Sequence, residues 1–338
     1  MKFYGGIDLH SNNSVIALID KQDKVIYKQR LPNDLTLILT ELRPYKRGIE
    51  DLVVESTYNW YWLVDGLMEA GYPVHLANMA AITQYAGLKY SDDETDARWL
   101  AKLLRLGLLP EGYIYPRAER SVRDLMRKRS QLVHQHTSNL QSIQNLLARN
   151  CGHSMIANQI RQLKYEAVDR LLPDTELALA LKSNLAVMHT LDELIDRIEK
   201  TALRKIRLRE EFKPLLSVSG IGNILGLTIM LETGDIGRFA KVGNYASYCR
   251  CVGSEYLSNH KRKGRGNTKN GNKYLAWAYL EAANFAVRYN PQIKRYYQRK
   301  RARTNGIVAI KTVAHKLARA CYYILRDQVP FDVNKAFV

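Results

Sequence analysis

Residues 3–31, FYGGIDLHSNNSVIALIDKQDKVIYKQRL, decide the fold of the first part of the chain. They contain three runs that are rich in apolar and β-branched residues, namely Phe3–Leu9, Ser14–Ile19 and Val25–Leu31. Runs of this length and composition predict strands, and the short polar segments between them predict tight turns. The stretch therefore predicts three antiparallel strands in chain order.

Strands and helices alternate after this opening. The apolar run Leu52–Glu55 predicts a fourth strand, and Pro73–Ala77 predicts a fifth. Between them an aromatic-rich segment, Asn59–Ala70, predicts a helix that Gly71 ends. Three antiparallel strands followed by alternating strands and helices is the order of the ribonuclease-H-like fold, an α/β domain built on a mixed sheet.

Two acids fall on these predicted strands. Asp8 lies in the first strand, where its neighbours Ile7 and Leu9 point to the opposite face, and Glu55 closes the fourth. If the two strands pair in parallel, the two carboxylates lie close together. Like-charged carboxylates at one place favour a divalent cation, because an acid in a central strand is costly unless something neutralises it.

Asp93 and Asp96 lie three residues apart at the start of a predicted helix, so their carboxylates share one side of it. With Asp8 and Glu55 they make a set of hard oxygen ligands that suits one or two Mg²⁺ ions holding a phosphodiester. Asp92 and Glu94 are competing candidates for a ligand role. The alternative is that these acids only place favourable charge at a helix N-terminus.

The charge of the chain is distributed unevenly. The net charge is +18 and the isoelectric point about 9.7. Up to Pro116 there are 15 acids against 12 lysines and arginines, whereas residues 256–319 hold 16 lysines and arginines against Glu281 alone. Because basic residues release counterions from polyanions, the C-terminal third is predicted to bind nucleic acid.

Other classes of protein fit the sequence poorly. The longest apolar runs are too short to cross a bilayer, and no secretion signal opens the chain. Four cysteines without CxxC spacing predict reduced thiols rather than disulfides or a zinc site. We expect a cytosolic protein that has no membrane partner.

The middle of the chain, residues 118–209, is predicted to be helical. Apolar residues recur at near-heptad intervals, which predicts a helical hairpin or a coiled-coil arm. Such an arm would be an oligomerisation surface, although a bundle within one chain fits the pattern equally well. The predicted domains are residues 1–116, a helical connector 117–212, and a mostly helical domain 213–338.

The last domain contains two phosphate-binding candidates. A glycine hairpin, Leu215–Gly222, between two predicted helices can lay backbone N–H groups against a DNA phosphate. Further on, a loop rich in glycine and lysine, Gly264–Asn272, can stabilise charge on a phosphorus under attack. Three serines before that loop are candidate nucleophiles, and spacing alone does not choose among Ser247, Ser254 and Ser258.

The basic residues that we predict to contact nucleic acid form two groups. The first surrounds the loop. The second lies in a basic stretch, interleaved with tyrosines, that is predicted to connect two helices, Lys273–Ala286 and Ala309–Leu325, and that suits a nucleic-acid backbone together with base stacking. They are Lys261, Arg262, Lys263, Arg265, Lys269 and Lys273 in the first group, and Arg295, Arg299, Lys300 and Arg301 in the second.

These features together resemble the DEDD-type, RuvC-like serine transposases and recombinases of bacterial insertion sequences, the bridge-RNA-guided recombinases. An early Asp, a strand-end Glu and a D-x-x-D-A motif match Asp8, Glu55 and Asp93–Ala97. Counting back from Gly271-Asn272, the catalytic serine of the family falls on Ser258. Family members usually have Ser-Gly there and Gly-Leu-x-Pro upstream. The departures in this chain, Ser258-Asn259 and Arg250–Gly253, keep Ser254 as an alternative.

The resemblance implies a transposase that cuts and rejoins DNA. The four acids would bind Mg²⁺, and Ser258 would attack the scissile phosphate to leave a covalent phosphoserine link. The implied partners are donor and target DNA, a structured noncoding guide RNA, and further copies of the chain in a dimer or tetramer. Two alternatives remain: a RuvC-like nuclease or junction resolvase that uses metal-activated water, and a non-catalytic nucleic-acid-binding protein.

Overall fold

The computed structural model describes most of the chain, and it describes only the backbone of residues 93–94, 255–258 and 262–265. The described residues are 1–82, 93–253, 255–259, 261–265 and 270–337. The chain divides into two units, Met1–Arg117 and Ala118–Val338. In the described part, every helix is too short or too polar to span a membrane.

The first unit is built on a five-stranded mixed sheet in the order β3-β2-β1-β4-β5. The first three strands are antiparallel neighbours, and β1, β4 and β5 run parallel. The predicted mixed sheet is thus confirmed. Its strands are β1 (Phe3–Leu9), β2 (Asn13–Ile19), β3 (Val25–Pro32), β4 (Ile49–Glu55) and β5 (Val74–Ala77).

Three helices pack on this sheet. The side chain of Asp34 starts the first by accepting hydrogen bonds from two backbone N–H groups, and Pro44 follows its end in a short 3-10 turn. The helices are α1 (Leu35–Leu42), α2 (Tyr61–Glu69) and α3 (Asp93–Arg105).

One face of the sheet carries large aliphatic side chains. Ile7 and Leu9 of β1 are buried with Leu18 of β2, Ile38 of α1 and Leu63 of α2 in a single cluster. Side chains alternate along a strand, so the residues between these positions point to the other face. The local sequence therefore assigns α1 and α2 to the face that Ile7 and Leu9 form.

Helix α3 covers the opposite face. Val15 of β2 clusters with Ala97, and Val53 of β4 clusters with Leu100. A Cβ atom at Gly6 would collide with the backbone carbonyl oxygen of Ala97. The absence of a side chain at Gly6 lets the backbone of α3 lie directly on β1, close to the position of Asp8.

Two long helices open the second unit, and they run antiparallel. Arg129 pairs with Glu199 at 2.7 Å, and the side chain of His136 lies 3.3 Å from that of Asp192. Their apolar residues form one buried cluster, in which two short helices take part. The predicted helical character holds, whereas a coiled coil remains a prediction. The helices are α4 (Arg117–Cys151), α5 (Ala157–Arg161), α6 (Tyr165–Leu171) and α7 (Thr175–Lys205).

The rest of the second unit is mostly helical around a large core. A chain of hydroxyl groups crosses that core, where Tyr245 lies 3.0 Å from Thr233 and 2.7 Å from Tyr279, so these buried polar groups satisfy one another. The elements are α8 (Asn223–Thr233), α9 (Val242–Tyr248), β6 (Glu255–Ser258), β7 (Lys261–Arg265), α10 (Lys273–Tyr289), α11 (Pro291–Arg303), α12 (Gly306–Asp327) and α13 (Val333–Ala336).

Two local predictions for this part were wrong. Gly264 and Arg265 belong to strand β7 rather than to a loop, because they pair with β6 in a hairpin. The basic stretch after Asn290 is a helix rather than a connector. Asn290 caps it with its side chain, and Pro291 occupies the first helical position, where its missing N–H costs nothing.

Candidate active site

Asp8 and Glu55 lie at the ends of neighbouring parallel strands. In the register of β1 and β4, Ile7 pairs with Val54, and the two acids follow one residue later on each strand. Alternation along the strands places both on the side of the sheet that α3 covers. Asp8 is buried and Glu55 is half-buried. The parallel pairing that the sequence predicted thus puts the two acids at adjacent positions.

Asp96 approaches the same place from above the sheet. It precedes Ala97, the residue of α3 that packs on Gly6 and Val15. Val15 is in turn the residue that pairs with Asp8 across β1 and β2. The side chain of Asp96 is half-buried, and its Oδ1 atom is shielded from solvent. Asp8, Glu55 and Asp96, three of the four predicted ligands, thus lie on elements that contact one another on one face of the sheet, namely β1, β4 and α3.

The remaining acids of the predicted set are only partly described. Asp93 and Glu94 lie in the first turn of α3, where the backbone alone is described, and Asp92 lies outside the described residues. Among the side chains that are described, no three His, Cys, Asp or Glu lie close enough to hold a metal ion. The place of Asp93 beside Asp96 stays a prediction from their spacing.

The surroundings of Asp8 are unusual for a buried acid. Only 3% of the residue is exposed, and within the described residues its Oδ2 atom accepts no hydrogen bond. His10 Nε2 lies 3.2 Å from that oxygen, which is close enough for an ion pair but is not aligned as a hydrogen bond. A carboxylate oxygen buried in this way is costly unless a cation completes its surroundings. The sequence did not indicate the contact with His10.

Ser258 is the last residue of β6 and pairs with Lys261, the first residue of β7, so the chain reverses direction directly after the serine. The next residue, Asn259, has a φ of 50°, in the left-handed region where Asn and Gly are favoured. The serine thus lies at the tip of a hairpin. Ser254 lies outside the described residues, and Ser247 is exposed in the last turn of α9.

The two ends of the segment that carries this hairpin are tied together. Arg250 Nε donates hydrogen bonds of 3.1 Å to the carbonyl oxygens of Asn270 and Gly271. The backbone N–H of Asn272 donates to the carbonyl of Tyr248 at 2.5 Å. Gly271 has a φ of 89°, and a Cβ there would press on the same Tyr248 carbonyl, so the close approach requires glycine.

A buried charge cluster supports this closure, and the sequence did not reveal it. Glu232 of α8 is 2% exposed and accepts hydrogen bonds from Arg123 at 2.9 Å, Arg127 at 2.6 Å and Asn272 at 2.7 Å. Burial alone would raise the pKa of Glu232, but the two arginines and Asn272 hold it below its ordinary value. Asn272 also caps α10 by accepting from the backbone N–H of Tyr274. The cluster therefore fixes the point at which the chain leaves the hairpin segment.

The glycine hairpin predicted at Leu215–Gly222 begins within a 3-10 helix, Glu210–Ser217, and ends directly before α8. Gly220 has a φ of 96°, and a Cβ there would collide with the carbonyl oxygen of Ala282 in α10. The connector is thus packed against α10 by its glycine. Binding of a DNA phosphate by its backbone remains a prediction.

Most of the predicted nucleic-acid-binding residues whose side chains are described lie on the surface. Lys261, Lys273, Arg295, Arg299 and Arg301 are exposed, and Lys300 is half-buried. Only the backbone of Arg262, Lys263 and Arg265 is described, and Lys269 lies outside the described residues. No acid occurs in the sequence between Glu281 and Asp327, so α11 and most of α12 carry uncompensated positive charge.

Two protein-family models match the chain. Residues 5–151 match a DEDD transposase model of the IS110 group, described as a transposase. Residues 213–298 match a model described as the transposase IS116/IS110/IS902 family. The two matches follow one another along the chain and together cover more than half of it. The first contains Asp8, Glu55 and Asp96, and the second contains Ser258.

Curated relatives agree with these matches. The transposase for insertion sequence element IS1111A of Coxiella burnetii is 22% identical over 293 residues, which are 84% of this chain and 78% of the relative. A probable family 20 transposase of Pseudomonas aeruginosa is 22% identical over 295 residues, 84% and 83% of the two chains. A putative transposase, y4qE, of Sinorhizobium fredii is 24% identical over 241 residues, 70% and 57%. The chain belongs to the IS110/IS116 family of insertion-sequence transposases, enzymes that bind, cut and rejoin DNA.

Proposed function

We propose that this transposase uses Asp8, Glu55, Asp93 and Asp96 to hold Mg²⁺ at the scissile phosphate and Ser258 as the nucleophile. The first half is supported by the positions of Asp8 and Glu55 at adjacent strand ends and by the packing of α3, which carries Asp96, on the same face of the sheet. The observation that supports the second is the position of Ser258 at the tip of a hairpin with exposed Lys261 across from it.

The first unit is best described as a ribonuclease-H-like domain. Its strand order, with β1 in the centre between an antiparallel and a parallel neighbour, is the arrangement that the sequence order led us to expect. In such a sheet the acid of the central strand and the acid of the adjacent parallel strand meet at one edge. Asp8 and Glu55 occupy those positions.

The acids fit a divalent cation in chemistry and in burial. Carboxylate oxygens are the ligands that Mg²⁺ prefers, and Asp8 Oδ2 is a buried acceptor that receives no hydrogen bond from the described residues. A bound Mg²⁺ would neutralise charge that develops on the phosphate. The residues of the chain would hold the site together, since α3, which carries Asp93 and Asp96, packs against β1 at Gly6, two residues from Asp8.

The proposed chemistry conserves the energy of the DNA backbone. The Oγ atom of Ser258 forms a bond to the scissile phosphorus, the bond from phosphorus to one sugar oxygen breaks, and that oxygen leaves as a hydroxyl with the proton that serine has lost. Attack by a hydroxyl of another DNA end reverses the exchange and frees the serine. A phosphoester is present throughout, so rejoining needs no external energy.

The asparagine after this serine is compatible with the hairpin. Where family members usually have glycine, Asn259 adopts a φ of 50°. Asn is the residue other than glycine that most readily enters this region, because its short polar side chain can bond locally. The departure from the family pattern therefore preserves the turn and supports an active copy.

The basic surfaces would hold the nucleic acids. The exposed cations of α11 suit the backbone of donor and target DNA, and a structured guide RNA would supply the choice of sequence. Further copies of the chain, in a dimer or tetramer, would bring the acids of one subunit to the serine of another. The antiparallel pair α4 and α7 is the surface that we propose for that contact.

A covalent protein–DNA adduct tests the mechanism. Purified full-length protein, the RNA flanking its element and end-labelled donor and target DNA would be incubated in Mg²⁺ and resolved on a denaturing gel. We expect an adduct with the wild type that is lost in Ser258→Ala and retained in Ser247→Ala. Loss in Ser254→Ala alone would move the nucleophile to Ser254.

Cleavage without an adduct, independent of every serine, would support the alternative nuclease in which metal-activated water attacks. If the protein binds nucleic acid equally well with Mg²⁺ and with a chelator but cleaves no strand, the result would favour a protein that only binds nucleic acid. Either result would contradict the serine mechanism.

A further inference from the structure

A cavity of about 760 Å³ lies in the second unit beside the base of the serine hairpin. One wall is the chain segment 250–253, which leads directly into β6, and the others are α10 and the first half of α12. None of the roles assigned above uses this cavity. Its position next to the hairpin makes the character of its walls informative.

The polar part of the cavity is positive. Arg250, Lys311 and His315 line it, and none of the described residues that line it is acidic. Arg250 and Lys311 are exposed, so both are accessible to a ligand. Two other large cavities of this unit differ, since one has Asp327 in its wall and the other Glu281. The absence of acid favours an anionic occupant.

The remaining wall is apolar. Trp277 and Leu280 of α10 face the cavity together with Val308 of α12, and Val308 is 41% exposed. Cations beside an apolar and aromatic surface are the combination that takes a nucleotide, because the phosphate pairs with the cations and the base covers the apolar side chains. A free inorganic anion would leave that apolar wall in water.

The floor of the cavity is held in place by its own hydrogen bonds. His315 Nδ1 lies 3.1 Å from the carbonyl oxygen of Cys251. A carbonyl oxygen only accepts, so Nδ1 must carry the hydrogen and donate it. Arg250 ties the same segment to Asn270 and Gly271. The cavity and the base of the hairpin are therefore parts of one fixed arrangement.

We propose that this cavity binds one unstacked nucleotide of the DNA strand that is handed to Ser258, with its phosphate beside Arg250 and Lys311 and its base against Trp277 and Val308. The proposal rests on the serine function proposed above for its choice of DNA. A paired base cannot enter a cavity lined on three sides by protein. The strand is therefore single-stranded at this point.

Fluorescence anisotropy of a short labelled oligothymidylate with the full-length protein tests the site, without metal so that no cleavage interferes. Lys311→Glu should weaken binding about tenfold and reduce the dependence of the affinity on salt by about one phosphate contact. Lys21→Glu is the matched control. It makes the same change of charge between β2 and β3, where Lys21 is exposed and lines none of this cavity. We expect it to bind within a factor of two of the wild type.

Tryptophan emission gives a second readout at the apolar wall. Oligothymidylate should quench the wild type, and Trp277→Phe should remove most of that quenching while the other three tryptophans remain. Equal losses in Lys311→Glu and Lys21→Glu, or quenching that persists in Trp277→Phe, would overturn the proposal. The same measurement with an oligouridylate distinguishes DNA from RNA. If Lys311→Glu weakened the binding of RNA alone, the assignment to DNA would be overturned.

The experiments can contradict the cavity proposal and the serine mechanism independently of each other. If Lys311→Glu binds oligothymidylate like the wild type and the wild type still forms the serine adduct, the cavity proposal is wrong and the mechanism stands. If Lys311→Glu loses binding and no adduct forms, the cavity binds single-stranded DNA in a protein that uses another chemistry.

Discussion

Two buried carboxylates, one in each unit, have opposite surroundings. Glu232 is surrounded by donors, since two arginines and an asparagine direct hydrogen bonds at it. Asp8 is equally buried, but its Oδ2 accepts no hydrogen bond within the described residues. A satisfied buried acid holds a fold together, whereas an unsatisfied one marks a place where a cation is expected. The difference supports a structural role for Glu232 and the metal-binding role that we propose for Asp8.

The largest expected effect is on stability in the second unit. Glu232→Ala should lower the free energy of unfolding by about 3–5 kcal/mol, because it leaves Arg123 buried without its partner. Urea denaturation followed by circular dichroism measures it. The exposed acid Glu193 is the control, and Glu193→Ala should change the free energy by no more than about 0.5 kcal/mol. Similar small values for both would mean that Glu232 is not structural.

Asp8→Asn should have the opposite combination of effects, a large loss of DNA cleavage with little change in the free energy of unfolding. We expect Mg²⁺-dependent DNA cleavage to fall by at least about a hundredfold, since even the groups that only orient metal ligands are worth ten to a hundredfold. Without metal, the free energy of unfolding should stay within about 1 kcal/mol of the wild type or rise, because a poorly satisfied buried charge is removed. A gel assay measures the DNA cleavage, and urea denaturation measures the free energy of unfolding.

Asp20 provides the control for that variant. It is also buried in the first unit, but it accepts hydrogen bonds from the backbone of Gln22 and Lys24. Asp20→Asn should therefore cost some stability and leave the cleavage rate unchanged. Loss of cleavage in both variants together would mean that Asp8 acts through the fold.

Gly6→Ala should break the first unit at the contact that positions Asp96. Its Cβ would collide with Ala97, so α3 must move away from β1. We expect a loss of about 1–3 kcal/mol of stability and a reduction of cleavage beyond what unfolding explains. In Gly243→Ala a Cβ meets no atom, and both quantities should stay at the wild-type values. Normal cleavage by a folded Gly6→Ala protein would contradict the role of this contact.

One histidine in each unit, His75 in the first and His315 in the second, should make the stability depend on pH, and in opposite directions. Burial alone would lower the pKa of His75, but Glu111 and Asp51 raise it above 6.5. Burial lowers the pKa of His315, and Arg319 and Lys316 lower it further, against the hydrogen bond to Cys251. The stability from His75 is thus present below pH 6.5 and lost as pH rises through its folded pKa. The stability from His315 is present above pH 6.5 and is lost as pH falls through its folded pKa.

Melting temperatures across roughly pH 5 to 8 measure this contrast, which is the smallest effect expected. His75→Gln should flatten the alkaline side of the profile, and His315→Gln should flatten the acidic side. The same change from both substitutions would contradict the assigned surroundings.

The first unit was largely predictable because its signals are local. Three apolar runs within residues 3–31 predicted the strands, and the order of elements predicted the mixed sheet in which β1 and β4 run parallel. The hairpin of β6 and β7 was missed, since Lys261–Arg265 is a charged run that forms a strand only by pairing. Helix α11 was missed although Asn290 and Pro291 are a helix-start signal, because its charge was attributed to a connector.

The partners of the site residues were harder to predict. Glu232 lies 109 residues from Arg123 and 40 from Asn272, and only the tertiary fold brings them together. The contact of His10 with Asp8 depends on how the chain leaves β1, which composition does not determine. Likewise, the hydrogen bond from His315 to Cys251 joins residues 64 apart.

The central claim is that the unsatisfied Asp8 marks a metal site. The most direct measurement is the thermal stability of the full-length protein with and without Mg²⁺, for the wild type, Asp8→Asn and Asp20→Asn. Mg²⁺ at about a hundred times its dissociation constant should stabilise the wild type by about 2.7 kcal/mol. We predict the same shift in Asp20→Asn and none in Asp8→Asn. An equal shift in all three proteins would contradict the claim.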